Sequence, residues 1–189
     1  MCERVAVKLC IMFCVVFYSN SVQAQKVAIS TNLLEYVNFG TINGEIGLGF
    51  SQHFSIYFQG KYNPFEYKFS SGNRQINNKQ LSGAIGAKYW LWHTYSGLFV
   101  SGQLSLSKYN RGGITSVKTY EGDAVGITLG AGYALMIKEY LNLDFGLGIM
   151  GGYTNFIRYN CPSCGKINKK GKKLFIAPNN VLVQLSYLF

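Results

Sequence analysis

From residue 26 to the end of the chain, apolar side chains return at every second position. In the segment 42–50, Gly44, Ile46, Leu48 and Phe50 share one face, and Asn43, Glu45, Gly47 and Gly49 share the other. A period of two marks a strand whose two faces meet different surroundings. The pattern predicts eight strands, near 26–34, 42–50, 54–63, 80–91, 98–107, 123–137, 141–154 and 176–189. Helix periodicity is nearly absent, and no later apolar run reaches the length of a membrane helix.

The connections alternate in length. Short ones fall at Ser51 to His53, Trp92 to Gly97 and Lys138 to Tyr140. Long polar ones fall at Glu35 to Thr41, Pro64 to Lys79, Lys108 to Gly122 and Asn155 to Phe175. Short turns at one end and long loops at the other describe an outer-membrane barrel, with both termini on the periplasmic side. The expected fold is all-β: an eight-stranded, antiparallel, up-and-down transmembrane β-barrel. Its apolar faces would meet lipid, where a sheet survives only if closed. Glycines and short polar groups would fill the narrow bore, where bulky side chains would clash. Across Ser51 to His53 the register should pair Phe50 with Phe54, Leu48 with Ile56 and Ile46 with Phe58, because a slip of one residue would turn these side chains into the bore.

The first residues read differently. Arg4 and Lys8 precede an apolar run from Leu9 to Tyr18, and Val22-Gln23-Ala24 offers a small-residue cleavage site. This is the pattern of a signal peptide over 1–24, leaving 25–189 as the barrel in the bacterial outer membrane. Cys10 and Cys14 lack the context of a lipoprotein cleavage site.

At the other end Val181, Val183, Leu185, Tyr187 and Phe189 alternate to the last residue. This resembles the terminal signature read by the barrel-insertion machinery, through Tyr187 and Phe189. Aromatic residues make up 15% of the chain and gather at the predicted strand ends. Trp92, Tyr95, Tyr140, Tyr187 and Phe189 lie at one end, and Tyr62, Phe65, Tyr109, Tyr153 and Phe156 at the other, as interfacial girdles would.

Several segments carry a family resemblance: Lys26 to Leu34, Glu45 to Gly49, Tyr62-Asn63-Pro64, Lys88 to Leu91, Cys161-Pro162-Ser163-Cys164-Gly165, and Leu185 to Phe189. They look like a family of small outer-membrane barrels catalogued as domain of unknown function 3575 (DUF3575), common in gut anaerobes. The resemblance covers essentially the whole mature chain and implies its fold and location, but no agreed activity. It also makes a partnership with a fimbria-like surface assembly conceivable.

Candidate chemistry is sparse. Cys161 and Cys164, in a predicted outer loop, could form a loop disulfide, half of a shared metal site or a redox pair; export favours the disulfide. His53 and His93 sit in turns at the opposite end, so neither can complete a zinc site with them, and neither can act as general base near the outer loops. No metal, no cofactor and no enzymatic role is expected. Arg158, Lys166, Lys169, Lys170, Lys172 and Lys173 make one outer loop basic within a chain of net charge +10, or +9 once Arg4, Lys8 and Glu3 leave with the signal. Such a loop could bind lipopolysaccharide phosphates or acidic glycans, or be merely solvated. No nucleic-acid motif appears. Glu45, Lys61, Lys88 and Asp144 should face the lumen as ion pairs that plug it, a structural network rather than an ion path. Glu45 and Lys61 are diagonal neighbours, and Lys88 and Asp144 lie near the periplasmic end.

Three functions fit. The first is a non-enzymatic surface barrel with a structural or binding role for its long loops. The second is an accessory or anchor for a surface assembly. The third is a soluble, lipocalin-like ligand-binding barrel, which would need an apolar interior.

Overall fold

The computed structural model describes residues 27–68, 75–112, 119–159 and 167–189. The proposed signal peptide, Cys161, Cys164 and Lys166 lie outside the described residues. The elements are β1 (Val27–Asn32), α1 (Leu33–Val37), β2 (Ile42–Gly49), β3 (Phe54–Asn63), β4 (Glu66–Lys68), β5 (Gln75–Trp90), β6 (Gly97–Gly112), β7 (Thr119–Lys138), β8 (Leu141–Tyr159) and β9 (Ile167–Leu188).

Eight of the strands close an antiparallel barrel. Each stave pairs with its neighbours in chain order, and β1 pairs with β9 to complete the ring. β4 is a short extra strand beside the start of β5, so β3 pairs directly with β5. Closure satisfies the edge hydrogen bonds that an open sheet would leave exposed. The predicted register holds: Leu48 faces Ile56, and Ile46 faces Phe58. Phe50 donates its N–H to the Phe54 carbonyl at 3.1 Å, and their rings stack.

The predicted strand ends need correction. Most of three long loops is strand, because β5 to β9 run 16 to 22 residues. At about 3.3 Å per residue, β9 spans roughly 70 Å of chain. The barrel therefore has a compact turn end and a tall open end. At Pro178 the β8–β9 ladder shifts register, with Gly148 opposite Asn180 and Ile149 opposite Pro178. Proline has no N–H to give the ladder, so a bulge absorbs the extra residue there.

The end of the predicted first strand is a short helix. Asn32 caps α1 by accepting the Leu34 N–H at 3.1 Å. Its amide also donates to the Val181 carbonyl, while its backbone N–H donates to Asn43 Oδ1 and its backbone carbonyl accepts from Asn43 Nδ2. Asn63 completes the latch, donating to Thr41 Oγ1 at 2.9 Å and accepting the Phe65 N–H at 3.0 Å. These buried amides fasten the chain after α1 to the open end of the barrel.

Two expectations about aromatics also change. Tyr95, Tyr109 and Phe156 do not join exterior girdles. Tyr95 is buried in the bore, Tyr109 hydrogen-bonds Thr154 over the intervening β7 at 2.7 Å, and Phe156 packs over Gly171. Bulky side chains do occupy the bore, because glycines make room for them. Gly86 lies under the Tyr57 ring and Gly132 under Phe99, where a Cβ would collide.

Candidate functional site

Strand alternation sends polar side chains inward, and at the turn end the bore is sealed by a plug. Trp90, only 1% exposed, donates its indole N–H to Ser55 Oγ at 2.9 Å and packs against Phe99 and Tyr95. Tyr95 comes from the connection between β5 and β6, at φ 66°. Burial, and then the Glu45 charge, push its phenol above the ordinary tyrosine range.

The next layer is charged. Lys88 Nζ donates to Glu45 Oε1 at 2.6 Å, with both side chains under a tenth exposed. Gln184 Nε2 adds a second donor to the same oxygen at 3.0 Å, and Lys88 lies 4.8 Å from the Tyr57 ring centroid. A low-dielectric bore tolerates such charges only when they are paired and hydrogen-bonded. Asp144 accepts from Ser186 Oγ at 2.7 Å and so has a hydroxyl rather than a cation as its direct partner. Lys61 turns to Glu35 on α1 at 2.6 Å. The diagonal Glu45 and Lys61 do not pair, because Glu45 meets Lys88 over β3 while the short helix brings its own acid to Lys61.

Between this layer and the open end lies a cavity of about 370 Å³. Its wall includes Gln59, Ser82, Gln103, Ser105, Ser107 and Tyr109. Met150, Phe175 and Pro178 give it one apolar side, and Lys61 and Arg111 stand at its upper wall. Arg111 donates to Gln80 Oε1; Gln80 Nε2 donates to Ser82 Oγ at 2.7 Å, and Ser82 donates to Ser107 Oγ at 3.0 Å.

The basic segment is a ribbon rather than a loop. Lys169, Lys170, Lys172 and Lys173 are exposed on β9, beyond the end predicted for β8. Arg158 stands directly opposite Lys169 in the ladder, and its Nε is buried without a hydrogen-bond partner. Among the described residues no group of three His, Cys, Asp or Glu side chains comes together as metal ligands would. His53 and His93 neighbour each other at the turn end, where His53 Nδ1 lies 2.9 Å from the Trp90 carbonyl oxygen.

Sequence reading missed Glu35, Gln80 and Arg111. Glu35 falls in a predicted loop, Gln80 at a predicted strand start, and Arg111 past the predicted end of its strand. The alternation that runs through Gln103, Ser105, Ser107 and Tyr109 continues to Arg111 and places it inside.

Residues 10–189 match the model of a family described as Protein of unknown function (DUF3575). No curated protein and no solved structure matches the chain.

Proposed function

The chain belongs to the DUF3575 family, and from that premise we propose that it is a non-enzymatic barrel of the bacterial outer membrane, exported by residues 1–24 and working through its protruding open end. One observation carries the reading. Ile29, Ile46, Phe58, Ile85, Leu104 and Ile127 stand side by side on six adjacent staves, each about half exposed on the outside. Leu147, Ile149 and Val181 extend the belt around the ring. Water would penalise an apolar girdle of this extent, whereas hydrocarbon would not.

The interior supports the same reading. Ser30, Asn43, Gln59, Gln103, Thr128 and Gln184 are buried on the inner face. A soluble lipocalin-like barrel would carry the opposite arrangement, with its apolar side chains inside. Among the described residues no helix is long and apolar enough to cross a membrane, and strands need none.

In this orientation the turn end and both termini are periplasmic, and the tall ribbons stand outside. Tyr187 and Phe189, exposed with ring centroids 4.8 Å apart, are available to the insertion machinery. The basic ribbon would meet lipopolysaccharide phosphates or acidic glycans. Arg158 opposite Lys169 favours this, since like charges directly across a ladder repel unless an anion joins them. An anchor for a fimbria-like assembly remains the second reading, through the same ribbons. The histidines lie at the far end from these surfaces, and no catalytic role is proposed.

Fractionation of expressing cells, followed by gel electrophoresis with and without boiling, tests the reading. A heat-dependent mobility shift in the outer-membrane fraction is expected. A soluble periplasmic protein with no shift would overturn it.

A further inference from the structure

The lumen narrows to a plug at one end and opens at the other, which makes the 370 Å³ space a cup rather than a channel. A cup of this size holds a ligand about as large as a sugar. Its floor follows from the Trp90 plug and the Glu45–Lys88 layer, so a solute entering from the open end has no exit through the bore.

Charge defines what would enter. Lys61 and Arg111 are both cationic, and Glu35 pairs with Lys61. Among the described residues Arg111 has no carboxylate within ion-pair distance: its hydrogen bond goes to the neutral Gln80, and Glu35, which acts on it electrostatically, is paired with Lys61. A guanidinium offers five donors in a planar fork, so several are left over after that one bond.

Hydrogen-bond direction adds to this. The relay from Arg111 through Gln80 and Ser82 ends with Ser107 accepting, which leaves the Ser107 hydroxyl hydrogen to be donated. Thr154 donates to the Asp123 carbonyl at 3.0 Å, so Tyr109 donates to Thr154 and its own oxygen is left to accept. The wall therefore offers spare donors on Arg111 and Ser107 and an acceptor on Tyr109, which suits a ligand that carries both a carboxylate and hydroxyls. The apolar patch of Met150, Phe175 and Pro178 opposite suits the carbon face of a ring.

We propose that the cup is a binding site for a small acidic, hydroxyl-bearing solute of the uronic-acid class. Its carboxylate would rest on Arg111 beside Lys61, and its hydroxyls along Ser107 and Tyr109. The site belongs to the barrel's lumen and does not depend on which solvent surrounds the barrel.

The full mature barrel, folded in detergent and checked for its heat-modifiable band, is titrated calorimetrically with D-glucuronate and with D-glucose. One saturable site for glucuronate is expected. Glucose, and glucuronate with Arg111→Gln, should bind at least about tenfold more weakly, as expected for losing a charge-assisted hydrogen bond. Lys138→Gln, an exposed cation at the turn end and outside the cup, should keep full affinity. Absence of glucuronate binding by a folded barrel, equal affinity for glucose, unchanged affinity in Arg111→Gln, or an equal loss in Lys138→Gln would each overturn the proposal. If Arg111→Gln does not fold, Ser107→Ala takes its place, and unchanged affinity there overturns the proposal equally. A folded barrel that reaches the outer membrane but does not bind leaves the membrane reading intact.

Discussion

Lys88 and Glu45 form an ion pair at 2.6 Å although β3 lies between their strands. The pair therefore bridges over β3 on the inner face of the barrel and ties together two strands that do not pair with each other. With Gln184 and Tyr57 around it, it forms a buried layer directly above the Trp90 plug.

Breaking that pair from one side should destabilise the barrel more than removing it altogether. Glu45→Gln leaves a buried ammonium without its counter-charge, and Lys88→Met leaves a buried carboxylate; each is expected to cost about 3–5 kcal/mol. The Glu45→Gln/Lys88→Met double variant should recover most of the loss. Urea unfolding followed by tryptophan fluorescence reads this, since Trp90 lies in the plug beside the pair. Additive losses in the double variant would show that the two groups act independently.

The apolar belt yields a test in which the solvent decides the sign. Leu129 and Leu147 are 69% and 70% exposed, so neither packs a core. In a bilayer, lysine at either position should cost about 2–4 kcal/mol near the midplane. On a barrel surrounded by water the same changes should stay within about 0.5 kcal/mol. Folding titrations of the two variants into phospholipid vesicles separate these outcomes.

Gly97 is held at φ 74°, and a Cβ there would run into the Trp92 ring. Gly97→Ala should therefore destabilise the turn between β5 and β6 by about 1–3 kcal/mol. Gly83 has nothing within 4 Å of a built Cβ and no positive φ, so Gly83→Ala should change little. Comparing the temperatures at which the two variants lose the unboiled gel band checks the contrast.

Tyr95 provides a pH dependence. Its phenol titrates higher in the folded chain than the ordinary value of 10.0 because burial, and then Glu45, disfavour the phenolate. Its contribution to stability is therefore complete below pH 10 and is lost as pH rises toward the folded-state value. Thermal unfolding between pH 8 and about 11 should show the decline begin near the unfolded tyrosine value of about 10. Tyr95→Phe, which cannot ionise, should flatten it; an unchanged slope in that variant would assign the decline to other groups.

Much of this protein was legible from period-two alternation alone. Because side chains on a strand point to opposite faces, Ile46, Leu48 and Phe50 had to share one side, and their partners Ile56 and Phe58 followed from the turn between them. Strand number, antiparallel order and the inward placement of Glu45, Lys61, Lys88 and Asp144 needed no more than that. Alternation gives each side chain a face, but it does not say how far the bore lets that side chain reach. Only the tertiary structure decided that Lys88 meets Glu45 over the intervening β3, and that Glu35 arrives on a helix to take Lys61. Pairing of neighbouring strands sets Gly86 opposite Tyr57 and Gly132 opposite Phe99, which admits the two rings to the bore. Strand length was likewise hidden in the sequence, since lysines and asparagines past the belt read as loop until neighbouring strands give their backbone groups partners. That pairing carries Arg111 into the lumen and raises the basic residues of β9 on a ribbon.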